Sequence, residues 1–278
     1  MNVFMRFPGY RSKALTLSYD DAVEQDIRLI EIMKRHGLKG TFNINTGCFA
    51  PEGTVYPKGQ IHRRMTQKQA YALYAGSGME VAVHAATHPF LEQLPLNMCT
   101  QEVMQDRENI EKMFGTICRG MAYPYGTTSD AVVEILKSCG ILYSRTTVSR
   151  RNFMIPEDWL RLSATCHHKD EQLMALAEKF LAGDRPCRAP EMFYLWGHSY
   201  EFDMDENWSV IEQFAEKMGG REDIWYATNI EIFEYIEAFR LLRTSNDGKI
   251  FFNPTAYTLY FSTGNENFEI SPGEMLKP

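Results

Sequence analysis

Ala14-Leu15-Thr16-Leu17-Ser18-Tyr19-Asp20-Asp21 is a run of strand-forming residues that ends on two adjacent carboxylates. Downstream, Ile27, Ile30 and Met33 recur at helical spacing until Gly37 stops the helix. Thr41-Phe42-Asn43-Ile44 reads as a second strand. Thr66 with Gln69 three residues later forms a capping box that opens a helix ending near Gly76. Glu80-Val81-Ala82-Val83 is then a third strand, running directly into His84. This strand–helix alternation predicts a mainly parallel sheet or barrel.

The alternation continues outward. An amphipathic helix is expected from roughly Thr100 to Phe114, closed by Gly115, followed by a strand over Gly120–Tyr123 that breaks at Pro124. Met192–Trp196 is a strand that delivers His198, and Ile224–Ala227 is another. Thr228 with Glu231 makes a second capping box, starting a helix to about Leu242. After the turn residues 244–248 the character changes: Phe251, Tyr257, Leu259, Phe261 and Phe268 fall in short alternating runs. The expected division is a main domain over 1–243 and a short β-rich extension over 244–278.

The chain has 278 residues, 44% of them hydrophobic and 23% charged, so it can bury a sizeable core. A net charge of -7 excludes a general nucleic-acid binder, which needs a basic face. No apolar run is long enough to span a membrane. The N-terminus lacks the pattern of a signal peptide, so a cytoplasmic location is expected. Cys48, Cys99, Cys118, Cys139, Cys166 and Cys187 include no C-x-x-C pair, which excludes a zinc ribbon and favours reduced structural thiols.

Three segments place titratable side chains just past a strand's C-terminal end, where parallel α/β folds build their sites. Asp20 and Asp21, adjacent in an extended chain, point to opposite sides and suit two different tasks; either could instead cap the following helix. His84 and His88, at i and i+4, would share one face of a helical turn, and imidazole is a common zinc ligand. Asp21 would complete a two-histidine, one-carboxylate set with an open position for water. His198 after an aromatic strand is a catalytic or a structural histidine. Tyr123-Pro124-Tyr125-Gly126 alone reads as a turn.

In order and spacing these segments resemble the polysaccharide deacetylase family, the NodB-homology domain of carbohydrate esterase family four. Ser18-Tyr19-Asp20-Asp21 resembles its T-F-D-D motif, and His84-Ala85-Ala86-Thr87-His88 its H-[ST]-x-x-H motif. Ala122-Tyr123-Pro124-Tyr125 resembles R-x-P-Y, and Leu195 with His198 matches L-x-x-H. Trp159 stands where the family has a tryptophan motif, with a poor match around it. The resemblance covers about 12–243. It departs from the family at Ala122, where an arginine usually steadies the catalytic aspartate; Arg119, Arg145, Arg150, Arg151 or Arg161 could supply that charge from elsewhere.

The resemblance implies a distorted β/α barrel of about seven strands. It also implies a deacetylase acting on an acetylated carbohydrate, with N-acetyl groups favoured. The alternatives are an O-acetyl esterase or a catalytically inactive, metal-containing sugar-binding module. One divalent ion, Zn2+ or else Co2+ or Ni2+, would be held by Asp21, His84 and His88. Asp20 would be the general base, His198 the general acid, and the backbone N–H of Tyr125 an oxyanion donor. Trp159 and Tyr125 would face the sugar, while His167 and His168 are expected at the surface rather than in the cleft.

Overall fold

The structure, a computed structural model, describes residues 3–183, 189–264 and 266–277. A short strand, Val3–Arg6 (β1), precedes the expected first one, Lys13–Asp20 (β2), whose eight residues are all buried. Burial on both faces is what a parallel strand wrapped by helices requires. The chain then alternates as the sequence predicts through α1 Asp26–Arg35, β3 Gly40–Ile44, α2 Gln67–Tyr74, β4 Glu80–Val83, α3 Leu96–Phe114 and β5 Gly120–Ala122, and continues with two elements not singled out there, α4 Asp130–Ser138 and β6 Tyr143–Ser149. Next come β7 Leu162–Ala164, β8 Cys166–His167, α5 Leu173–Ala182, β9 Glu191–Gly197, α6 Tyr200–Met204, α7 Ser209–Met218, β10 Ile224–Tyr226 and α8 Asn229–Arg240.

The strands form one parallel sheet in the order β7-β6-β5-β4-β3-β2-β9-β8. Only Thr165 separates β7 from β8, so one stretch of chain pairs with β6 on one side and β9 on the other. That stretch closes the sheet into a ring of seven staves, counting β7 and β8 as one. β10 pairs with β2 at Lys13–Leu15, below the register of β3, which begins at Leu17. The distorted barrel expected from the resemblance is therefore the observed fold.

Both capping boxes form, at Thr66–Gln69 and Thr228–Glu231. Helix α3 starts four residues earlier than the sequence suggests, directly after Pro95. Thr100 does not cap it, because its hydroxyl donates back to the carbonyl of Leu96 within the helix at 2.9 Å.

The C-terminal extension supplies β11 Arg243–Thr244, β12 Phe251–Phe252, β13 Leu259–Thr263, β14 Glu266–Ile270 and β15 Met275–Leu276, paired antiparallel in two small sheets. One of these sheets recruits β1, which pairs with β13. Phe251, Leu259, Phe261 and Ile270 then share a buried cluster with Phe7, Tyr194 and Tyr235. Among the described residues the five cysteines are unpaired; Cys187 lies outside them. No described helix is long and apolar enough to cross a membrane.

Candidate active site

Because all the ring's strands run parallel, the segments leaving β2, β3, β4, β5 and β9 emerge at one end. Asp20 is the last residue of β2, and Asp21 follows at φ 89°, a left-handed conformation, with different partners: Arg64 for Asp21, Asn43 and Arg145 for Asp20. The ligand atoms of Asp21, His84 and His88 all lie within 4.8 Å of one another. His84 and His88 do not share a helical turn as the spacing suggested. A loop brings them together, with Ala85 at φ 58° and His88 at φ 59°, and the two rings meet edge to face at 4.8 Å. Backbone in this sparsely populated region gathers at functional sites, where surrounding contacts hold it in place. Here Asn45 donates to the Ala85 carbonyl at 2.9 Å, and Glu102 accepts from the Thr87 N–H at 2.8 Å.

The donor chemistry fits a divalent ion. His84 Nδ1 lies 2.7 Å from the Ala122 carbonyl, so Nδ1 carries the proton and Nε2 keeps its lone pair. Burial lowers the pKa of His84 against the pull of Asp20 and Asp21. Burial and then the His84 charge lower His88 to about 4. Burial pushes Asp21 up, but His62, Arg64, His84 and His198 outweigh it and hold the carboxyl well below its ordinary range. Two neutral imidazoles and one carboxylate are a donor set that zinc, cobalt or nickel accepts.

Asp20 is 3% exposed and takes a hydrogen bond from Asn43 Nδ2 at 2.8 Å. Its other oxygen is paired with Arg145, itself buried, whose guanidinium lies over the ring of Trp196. Of the five arginines offered by the sequence, Arg145 on β6 thus supplies the charge missing at Ala122. Arg119, Arg151 and Arg161 pair instead with Glu234, Asp170 and Asp130. Burial raises the Asp20 pKa, but Arg145, His84 and His198 together bring it below its usual value. Asp20 Oδ2 is 3.8 Å from Nε2 of both His84 and His198.

His198 follows β9 and faces Glu201, one turn on, with Nδ1 at 3.3 Å from the carboxylate. Burial disfavours charge on this ring, but Glu201, Asp20 and Asp21 outweigh it and raise the pKa. Neither His167 nor His168 is the surface residue expected from sequence. His168 is 2% exposed, stacked on Phe202 at 4.2 Å, and its burial depresses its pKa far below the ordinary value. His167 sits 3.2 Å from Glu201 through Nε2, while its Nδ1 accepts the Lys169 N–H at 3.1 Å. In the neutral ring that bond leaves the proton on Nε2, so His167 presents Glu201 with a donor rather than a metal-binding lone pair.

Tyr125 adopts φ 59° in the turn after β5, with its ring half exposed, edge-on to His88 and stacked on Phe90 at 3.8 Å. Trp159 is not brought to this end. It is 7% exposed, in the buried cluster beneath the C-terminal extension, edge-on to Phe233 of α8. Apolar area on a ring this size is more favourably placed in a core than at a wet cleft.

Several residues here were not foreseen: Asn43, Asn45, His62, Arg64 and Glu201. Glu201 had a faint signal, three residues after His198 and therefore one helical turn away. Asn43 reaches Asp20 from the neighbouring strand β3, and Asn45, His62 and Arg64 contact the site from segments between elements; none of the four had a signal.

The polysaccharide deacetylase family matches residues 9–144, a span that contains Asp20, Asp21, His84, His88 and Tyr125. No curated protein sequence matches the chain. Among solved structures, a polysaccharide deacetylase from Mycobacterium smegmatis, assigned as such without proof of activity, shares 15% identity at a TM-score of 0.61, over 84% of this chain and 93% of that one. A family 4 carbohydrate esterase from Streptomyces lividans, in complex with acetate, shares 16% identity at a TM-score of 0.51, over 77% and 91%. The chain spans 55% of the length of a Streptococcus pyogenes deacetylase, at 23% identity and a TM-score of 0.42. Residues 9–144 thus carry a polysaccharide deacetylase domain, and the fold of the chain is the one seen in the first two structures.

Proposed function

We propose that the protein hydrolyses N-acetyl groups on a carbohydrate, giving an amino sugar and acetate, with a divalent ion at Asp21, His84 and His88. The observation that carries this reading is the pairing of a buried Asp20, fixed by Arg145, with His198 Nε2 at 3.8 Å, beside that ligand cluster. A sugar-binding module needs neither an aligned base nor an acid.

A bound ion would polarise the acetyl carbonyl and acidify a water. Asp20, kept ionised by Arg145, accepts that water's proton, and Asn43 and Arg145 keep the carboxylate from turning. The Tyr125 backbone N–H donates to the oxygen that gains charge. His198 has its Nδ1 proton held by Glu201, so Nε2 is the nitrogen that gives a proton to the departing amine. Phenyl and phenol faces of Phe90 and Tyr125, beside His88, offer a flat rim to a sugar ring.

Acetate release from N-acetylated amino-sugar oligomers tests the proposal. Activity should be lost on chelation and return with zinc or cobalt. No acetate from N-acetyl or O-acetyl sugars, in a preparation shown to contain metal, would leave the binding-module reading.

A further inference from the structure

Asp21 is held by more than its place in the chain. Arg64 Nη2 donates to Asp21 Oδ1 at 2.9 Å, and Nη1 donates both to the Asp21 carbonyl and to Asn45 Oδ1, the latter at 2.8 Å. Asn45, fully buried at the end of β3, uses its amide to hold the carbonyls of His84 and Ala85. One guanidinium thus connects the corner that presents Asp21 to the corner that presents His84. Arg64 is itself seated by backbone pairing on either side. Met65 N–H donates to the Ala22 carbonyl at 2.9 Å, and Glu24 N–H to the Arg63 carbonyl at 2.8 Å. The carbonyl that Arg64 grips belongs to a residue at φ 89°, a sparsely populated backbone region for any residue but glycine.

We infer that Arg64 is a positioning residue for the metal-binding carboxylate, acting through its two-pronged hold on Asp21 and through Asn45 on the His84 corner. This rests on the metal site of the proposed function but not on the reaction. A guanidinium beside an ion's ligand has two opposed effects. Its charge repels the ion, which weakens binding. Its hydrogen bonds fix the ligand where the ion needs it, which strengthens binding by reducing the freedom lost on coordination. With Oδ1 engaged, the Asp21 carboxylate cannot rotate about Cβ–Cγ, and the main chain beneath it cannot relax out of its left-handed turn. The geometry points to the second effect as the larger.

The sign of the effect is the test. Zinc affinity is read by competition against a chromophoric chelator, with no substrate present, for the parent, Arg64→Ala and Arg64→Lys. Cobalt absorption spectra are taken alongside. Arg64→Ala should weaken zinc binding about 10- to 100-fold, the usual scale for an outer-shell partner of a ligand, and alter the cobalt bands. Arg64→Lys keeps the charge and loses the planar fork, so it should remain at least about tenfold weaker than the parent. Tighter binding by Arg64→Ala would show that charge repulsion dominates and would overturn the inference, as would unchanged affinity with unchanged cobalt bands. If Arg64→Ala fails to fold in a chelator-containing melt, parent-like affinity in Arg64→Lys overturns it alone. A parent that binds zinc but releases no acetate would sink the deacetylase reading and leave this one standing.

Discussion

Two adjacent aspartates with different partners should behave differently when each is neutralised. Asp20→Asn keeps an amide of nearly the same shape beside Arg145 but cannot accept the water's proton. Acetate release should fall about a hundredfold or more, the scale for loss of a general base, while metal content stays unchanged by elemental analysis. Loss of metal along with activity would reverse the roles assigned to Asp20 and Asp21. His198 is tested by its leaving group. An amine must be protonated to depart, so His198→Ala should slow amide hydrolysis by about two to four orders of magnitude. An activated acetyl ester needs no such proton and should suffer much less. Equal losses on both substrates would assign His198 to some other form of transition-state stabilisation, and no loss on either would make it structural.

At the scale of elements, the site depends on how closely β9 approaches the chain after β8. A Cβ placed on Gly197 would come within 2.0 Å of His168 Nδ1. His168 has little room to retreat, being stacked between Tyr19 and Phe202 with 2% of its surface exposed. Gly197→Ala must therefore push the strand end or the ring aside. The expected cost is about 1–3 kcal/mol, the range for overpacking a filled core, read as a lower midpoint in denaturant. Because the displaced residue precedes His198, amide hydrolysis should drop as well. Parent-like stability would mean that the loop after β8 yields more easily than its packing indicates. The same crowding explains why a glycine stands between the aromatic run of β9 and His198.

At the scale of the whole molecule, Asp26, Glu80 and Asp106 are carboxyls that burial raises to about 7. In the unfolded chain they titrate near pH 4. The native state thus holds extra protons between those values, and the stability they give is lost as pH rises through about 7. His84, His88 and His168 act in the opposite direction, with native pKa values below the ordinary one. Their contribution is complete once the pH passes about 6.5, the unfolded histidine value. From about pH 6.5 to 8 the carboxyls act without that opposition, and the melting temperature in chelator-containing buffer should fall. Glu80→Gln should flatten the decline. Glu80 is bound by Thr41, Tyr143 and the Ile230 N–H at the start of β4, at the opposite end of that strand from His84. An unchanged slope in Glu80→Gln would show that Glu80 is already ionised at pH 6.5.

The alternation of strand and helix, the two capping boxes and the chain positions of Asp20, Asp21, His84, His88 and His198 were legible in the linear sequence. Each is a local matter: periodicity decides which face is apolar, and a cap bonds to a backbone three residues on. Position after a strand's C-terminal end is also local, and parallel packing turns it into a shared site. What tertiary structure decided is the set of partners. Arg145 rather than Arg119, Arg150, Arg151 or Arg161 faces Asp20 because β6 lies two strands from β4 on a closed ring, across which its side chain reaches β2. Trp159 went to the core and His168 inward because burial depends on what other elements bring opposite a residue, and no spacing rule encodes that. Arg64 reaches Asp21 from a loop forty-three positions away, held by backbone pairing to the turn after β2. Residue type and spacing specify which side chains can do chemistry; the closure of the barrel fixes which charges stand beside them, since electrostatic coupling falls with distance in space and is indifferent to separation along the chain.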